Sequence, residues 1–311
     1  MIRAKKSLGQ NFLIDKNILE RITNTAPIEN KTVLEIGPGT GNLTTYILKK
    51  KPKKIFVIEK DNDLSINLKN KFDNQIKIIN EDVLNVNETN ISEDKITVFG
   101  NLPYNISTEI LSKWIINLKD NFWFECLILM FQKEVADRII AKSDTSMYGR
   151  LSIISNWKLK IEKICDISPE AFKPKPKIES SLLLFYPKEN FVKIKDPNNL
   201  EKVTRIFFNQ RRKMLKKPFN QLFNGDQKIL NKLKIDLNLR PQNLSLETYY
   251  NLANDILNFD IKSISFHGPD LELKKTKYTQ PSIFIVSTII GKILLENGHK
   301  ADGVAGHSLG E

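Results

Sequence analysis

The chain has 311 residues, 48 basic against 36 acidic, a net charge of +12 and 41% hydrophobic residues. That is enough length for two domains and a sizeable core. No apolar stretch reaches the roughly 18 residues of a membrane helix, and the basic N-terminus has no apolar run behind it, so neither a membrane span nor a secretory signal is expected.

Two further absences narrow the chemistry. All three histidines, His267, His299 and His307, lie beyond residue 259, so the first 259 residues hold no histidine base, Cys–His pair or His-ligated zinc. Cys126 and Cys165 lack metal-ligand spacing and read as free thiols in a reducing cytoplasm. The charge is also unevenly spread. Residues 260–311 hold six basic and six acidic side chains, so the whole positive surplus lies before them. A positive body fits a polyanionic partner held through phosphates.

In chain order, Lys5-Lys6-Ser7-Leu8-Gly9-Gln10-Asn11-Phe12-Leu13 precedes a predicted helix at 15–22. Asn11 there fits either a ligand contact or a helix cap. A short apolar strand at 32–36 ends in Gly37-Pro38-Gly39-Thr40-Gly41, where glycines permit a tight turn and close approach of a ligand. The dinucleotide fingerprint would need its third glycine one residue later, which disfavours NAD. A helix at 41–51 and a strand at 54–59 follow. That strand ends in Glu59, about twenty residues on, where a carboxylate can take two ribose hydroxyls. After a helix at 62–73, the strand at 76–80 is followed by Glu81-Asp82, a carboxylate placed to accept from an adenine amino group.

The strand at 96–101 runs into Asn101-Leu102-Pro103-Tyr104. At the carboxyl edge of an open sheet, where ligands bind, this places an amide, a rigid carbonyl and an aromatic ring together. The Asn101 oxygen and a carbonyl at Leu102 or Pro103 can accept the two hydrogens of an exocyclic amine, and Tyr104 can stack on a flipped-out base. Pro103 fixes φ and so holds the carbonyl in place. The Gly-rich turn, two acids and Asn-Leu-Pro-Tyr, in that order, describe an S-adenosylmethionine site beside an adenine site.

Beyond it come a helix at 107–119, a strand at 124–131, helices at 132–141 and 149–157, and strands at 158–167 and 181–186. Trp114, Trp123 and Trp157 read as core. Between the last two strands stands Phe172-Lys173-Pro174-Lys175-Pro176-Lys177-Ile178-Glu179-Ser180, in which Phe172 offers a second aromatic wall for the base. From about residue 188 the pattern is helical, at 200–208, 211–222, 227–233 and 246–258. The Ser245-Leu246-Glu247 step starts the last helix. Arg205, Arg211, Arg212 and Lys213, interleaved with Phe207 and Phe208, read as an RNA patch, together with Lys5, Lys6, Lys173 and Lys175.

The four quoted motifs, over residues 1–259, resemble the ribosomal RNA adenine N6-dimethyltransferases, most closely those acting on the small subunit. The resemblance implies an α/β, Rossmann-like class I S-adenosylmethionine-dependent methyltransferase domain over 1–187, with its last strand antiparallel. It also implies a small helical rRNA-binding domain over 188–259. It assigns donor contacts to Asn11, Leu13, Gly37, Glu59, Asp82 and Asn101, beside the base contacts read above from Asn101, Leu102, Pro103, Tyr104 and Phe172. The implied reaction dimethylates N6 of two adjacent adenines in a hairpin loop near the 3′ end of 16S rRNA, during small-subunit biogenesis and without a metal. The implied setting is a cytoplasmic, monomeric enzyme working on a small-subunit precursor particle. A 23S rRNA methyltransferase of the antibiotic-resistance type is the nearest alternative, and an assembly factor that reads RNA without modifying it is a further one.

Residues 260–311 resemble part of a malonyl-CoA:acyl-carrier-protein transacylase. Gly306-His307-Ser308-Leu309-Gly310 fits the nucleophile elbow G-x-S-x-G. The sequence ends one residue later, without the downstream base, so Ser308 is expected to be inert and an acyltransferase is disfavoured. The segment reads as a truncated fusion or a sequence join, with a helix expected at 282–295.

Overall fold

The structure is a computed structural model, and it describes residues 5, 9–118, 121–256 and 287–288. Residues 1–256 cluster as one compact unit and 257–311 as another. The expected transacylase-like segment, with Ser308, lies outside the described residues, apart from Ser287 and Thr288, which are helical.

The chain opens with β1 (Phe12–Leu13), α1 (Lys16–Thr23), β2 (Thr32–Ile36), α2 (Asn42–Lys49), β3 (Lys54–Ile58), α3 (Asn62–Phe72) and β4 (Lys77–Ile79). It continues with β5 (Ile96–Asn101), α4 (Ser107–Asn117), β6 (Phe124–Gln132), α5 (Lys133–Ile140), α6 (Arg150–Lys158), β7 (Leu159–Ile167), β8 (Phe172–Lys173) and β9 (Ser180–Pro187). Four helices follow: α7 (Asn198–Asn209), α8 (Lys216–Phe223), α9 (Gln227–Leu233) and α10 (Leu246–Asp255).

Seven strands form one sheet in the order β4-β3-β2-β5-β6-β9-β7. The first five are parallel, and β9 runs antiparallel between β6 and β7. The α/β, Rossmann-like fold implied by the resemblance is therefore present. Strand order reverses beside β2, which pairs with β3 on one side and β5 on the other. Crevices at such switch points are where ligands bind in open α/β sheets.

The strands are buried on both faces, so their side chains divide by parity between two cores. Leu34, Val98, Leu129 and Leu183 join a core covered by α4, α5 and α6. Val33, Phe99, Ile128 and Leu184 join one covered by α1, α2 and α3. Side-chain caps start several of the helices. Asp15 caps α1 by accepting from Ile18 N at 2.9 Å, Asp61 caps α3 and Ser245 caps α10. Gly41 caps α2 with φ 73°, and a Cβ there would stand 2.4 Å from the Phe72 ring, so only glycine fits.

The helical segment does not have a core of its own. Leu200, Phe207, Phe219, Tyr249 and Leu252 belong to the same core as the sheet face under α4 and α6. Tyr250 donates to Ile153 O at 3.0 Å and Trp157 Nε1 to Val192 O at 2.8 Å, which bolts the segment to α6. Trp114 and Trp157 are buried as expected, with Trp123 edge-on against Trp114.

The helix expected from 211 starts only at Lys216. Lys213 N closes a turn onto Gln210 O at 2.8 Å, and the buried Leu215 donates its backbone N–H to Leu239 O at 2.9 Å. That long-range bond stops a helix from running through. Arg211, Arg212 and Lys213 therefore sit on a turn between α7 and α8.

Candidate active site

One cleft gathers Asn11, Leu13, Gly37, Glu59, Asp82, Asn101, Leu102, Pro103 and Tyr104. These are all of the donor and base residues expected from sequence except Phe172. Register explains the convergence: Ile36 in β2 sits opposite both Ile58 in β3 and Gly100 in β5, so the residues leaving all three strands emerge side by side.

Gly37 has φ +64°, and the nearest heavy atom to a Cβ placed there is Asn101 O at 3.5 Å. A side chain would thus project into the cleft, where the backbone must approach a ligand. Glu59 is buried and held on both oxygens, Oε2 accepting from Gly39 N at 3.1 Å and Oε1 from Asp61 N at 2.9 Å. Burial pushes its carboxyl up, and the two backbone donors oppose that. Asp82 accepts from Lys60 Nζ at 2.7 Å and from Leu84 N at 3.0 Å, and Lys60 above all holds it below the usual carboxylate range. Each carboxylate oxygen has lone pairs to spare for ligand hydroxyl or amino groups. The bare backbone at Gly37, the ordered carboxylate Glu59 and the ionised Asp82 fit the carboxylate-and-glycine demands of S-adenosylmethionine.

Asn101 carries the decisive geometry. Its Nδ2 donates to the backbone oxygen of Asn11 at 2.8 Å. A carbonyl can only accept, so this bond fixes the amide nitrogen toward Asn11 and leaves Oδ1 as the free acceptor. Asn11 does not cap α1, a role taken by Asp15. Its side chain instead donates to Gly9 O at 3.3 Å. Of the two carbonyls the sequence left open, that of Pro103 accepts from Ile106 N at 3.1 Å, while that of Leu102 accepts no hydrogen bond among the described residues. Tyr104 is half-buried, and its hydroxyl lies 2.6 Å from Ser180 Oγ at the start of β9. That bond fixes the ring beside the amide.

Phe172 packs differently from the other expected base contacts. It is only 3% exposed and belongs to the core under α1 and α2, and it is not among the cleft residues. The reason is its backbone: β8 pairs antiparallel with β1, Leu13 opposite Phe172. The pairing ties Phe172 to the segment carrying Leu13, and both side chains are buried in one core.

Of the expected RNA contacts, Lys173 on β8 is exposed, and so are Arg205, Arg212 and Lys213. Lys6 lies outside the described residues. Arg211 is half-buried and donates to the carbonyls of Ser146 and Thr145. Lys175 pairs with Glu170. Lys5 is paired with Asp61 and Asp63, each at 2.9 Å.

Several residues that sequence reading passed over also line or brace the cleft. Glu35 is fully buried beneath α2, accepts from the Thr44 hydroxyl at 2.6 Å, and has its carboxyl pushed up to about 7, chiefly by burial. Lys60 and Asp61 were missed because their partners are distant in sequence. Arg138, Arg150 and Lys113, none of them expected from sequence, border a second groove with Phe208 and Arg211. Among the described residues, no cluster suited to a metal ion occurs and no helix is long and apolar enough to cross a membrane.

Comparison with known proteins bears on this site directly. The family described as ribosomal RNA adenine dimethylase matches residues 1–258. The "Ribosomal RNA small subunit methyltransferase A" of Pelagibacter ubique (strain HTCC1062) is 67% identical over 254 residues, covering 82% of this chain and 97% of that protein. The crystal structure of a dimethyladenosine transferase from Plasmodium falciparum is 28% identical with a TM-score of 0.66, covering 78% of this chain and 95% of the other. That of the 23S rRNA methyltransferase ErmE is 21% identical with a TM-score of 0.59, covering 79% and 99%, a likeness of fold.

Proposed function

The chain belongs to the ribosomal RNA adenine dimethylase family, and from that premise we propose that it carries methyl groups from S-adenosylmethionine to N6 of adenine in 16S rRNA. Two adjacent adenines in a hairpin loop near the 3′ end each receive two methyl groups. The small-subunit target is favoured over the 23S alternative by the 67% identity to a small-subunit enzyme. ErmE shares only the fold at 21%.

S-adenosylmethionine supplies a methyl group on a positively charged sulfur, already a strong electrophile. The protein's part is positioning and electrostatics. Adenine N6 is a poor nucleophile because its lone pair is delocalised into the ring. Asn101 Oδ1 and Leu102 O accept the two N6 hydrogens, which favours a pyramidal nitrogen with its lone pair free. Tyr104 stacks on the base, a contact worth roughly 1–3 kcal/mol. A neutral amide holds the mono-methylated amine through its one remaining hydrogen, so the second transfer uses the same apparatus. Glu59 takes ribose hydroxyls and Asp82 the donor's adenine amino group.

The observation that carries this reading is the Asn101–Asn11 bond, which turns the amide oxygen into a fixed acceptor at the cleft. The exposed basic residues of α7 and the α7–α8 turn support the helical segment as one wall of the RNA cleft. A monomer acting in the cytoplasm on a small-subunit precursor particle completes the proposal, on the strength of the rRNA substrate. The test is mass mapping of adenines in both rRNAs from cells lacking the endogenous enzyme and expressing either the parent or Asn101→Ala. Dimethyladenine in 16S rRNA with the parent alone is the expected result; marks on 23S rRNA, or equal marks with both proteins, would overturn it.

A further inference from the structure

Asp61 is not one of the residues expected at the site, yet it is buried, at 4% exposure, and its carboxylate accepts three hydrogen bonds. Its Oδ1 accepts from Lys5 Nζ at 2.9 Å and from Asp63 N at 3.0 Å, and its Oδ2 accepts from Gln10 Nε2 at 3.0 Å. Its own backbone N–H donates to Glu59 Oε1 at 2.9 Å. One residue therefore grips the N-terminal segment at two points, caps α3 and braces the carboxylate of Glu59.

The segment so gripped lies across the cleft. One residue beyond Gln10, Asn11 O receives the Asn101 amide at 2.8 Å, and Leu13 O receives Asn42 Nδ2 at 2.8 Å. Gln10, Asn11 and Leu13 all line the cleft. The connections run from Asp61 through Gln10 to Asn11 O and so to the amide that faces the adenine, and from Asp61 directly to Glu59.

We propose that Asp61 is a positioning residue for methyl transfer, anchoring the N-terminal segment through Lys5 and Gln10 so that the donor pocket and the Asn101 amide are set together. The proposal rests on the reading of this cleft as the donor site. It also gives Lys5 a task within the protein in place of a phosphate contact. A salt bridge between exposed groups is worth little, but Asp61 is desolvated, and removing one partner of a buried carboxylate is costly.

The test measures affinity for S-adenosylmethionine by calorimetry, without RNA, and affinity for a 16S rRNA fragment, without donor. The proteins are the full chain, Asp61→Asn, Lys5→Met and the double variant. Asn accepts the Asp63 N–H as a helix cap as well as Asp does, so Asp61→Asn keeps α3 while removing the charge. Donor affinity should fall about tenfold in Asp61→Asn and about fivefold in Lys5→Met, the range of a charge-assisted hydrogen bond discounted for the half-exposed lysine. The double variant should be no weaker than Asp61→Asn, because both remove one link. RNA affinity should be unchanged.

Donor affinity within twofold of the parent in both single variants overturns the proposal, and so does a Lys5→Met variant that loses RNA affinity alone. If Asp61→Asn proves unstable, Lys5→Met decides, since it cuts the same link without touching α3. Failure of the parent itself to bind donor would instead refute the reading of the cleft.

Discussion

The donor half of the cleft and the RNA-facing turn of the helical segment satisfy their charges in opposite ways. Around the donor pocket, Glu59, Asp61 and Asp82 each accept two or more hydrogen bonds from the protein, and Lys5 and Lys60 are paired. On the α7–α8 turn, Arg212 and Lys213 are exposed, while the Arg211 side chain is tied to backbone carbonyls. A small rigid ligand rewards a pocket whose groups are already aimed, since ordering costs are met on folding. A polyanion is bound through many weak, salt-sensitive contacts and needs charge density more than fixed geometry. Composition alone could not tell the two kinds of lysine apart.

Four outcomes would break or sharpen that contrast, taken from the largest effect. Asn101→Ala removes the fixed acceptor together with its bond to Asn11 O. Single-turnover methylation at saturating donor should slow roughly 1,000-fold, about 4 kcal/mol, beyond whatever donor affinity is lost. Equal rates would mean the amide is a bystander. Phe172→Ala should cost about 3 kcal/mol of stability in denaturant unfolding, as expected for an emptied aromatic core site. The KM for RNA should not move, and a selective rise in it would return Phe172 to the base-binding wall.

The third concerns Glu35, whose carboxyl rises from an ordinary 4.5 to about 7 because burial disfavours its charge. The folded state then holds the proton more tightly than the unfolded chain does. The contribution of Glu35 to stability is therefore greatest below about pH 4.5, falls as pH rises toward 7, and is level above that. The span corresponds to about 3 kcal/mol. Glu35→Gln keeps an acceptor for the Thr44 hydroxyl and should flatten this slope, seen as melting temperatures at pH 5 and pH 8 that converge relative to the parent. The smallest effect is on the RNA side. Arg212→Ala with Lys213→Ala should weaken rRNA binding about tenfold at moderate salt and lower the log–log salt slope by about 2. Donor affinity should stay as it was, and a matching loss of donor affinity would erase the distinction between the two regions.

Much of the site was readable because its signals are local. A β-branched strand followed by Gly37-Pro38-Gly39, or by Asn101-Leu102-Pro103-Tyr104, announces both a strand end and a ligand edge within a few residues. The Ser245 start of the last helix is equally local. What the sequence left open depends on contacts that no short window contains. Phe172 is placed by the pairing of β8 with β1, which carries it into a core. Lys5 is placed by two acids more than fifty residues away.

The chain's periodicity and motif order settled on their own that a doubly wound sheet would carry a glycine turn, two acids and an Asn-Leu-Pro-Tyr edge. Those features arise from backbone preference and hydrophobic alternation, which act between near neighbours. Only the folded arrangement decided which way the Asn101 amide points, which carbonyl beside it is left open, and which lysine turns inward. Each of these is set by a hydrogen bond or strand pairing between segments that meet only once the sheet has formed.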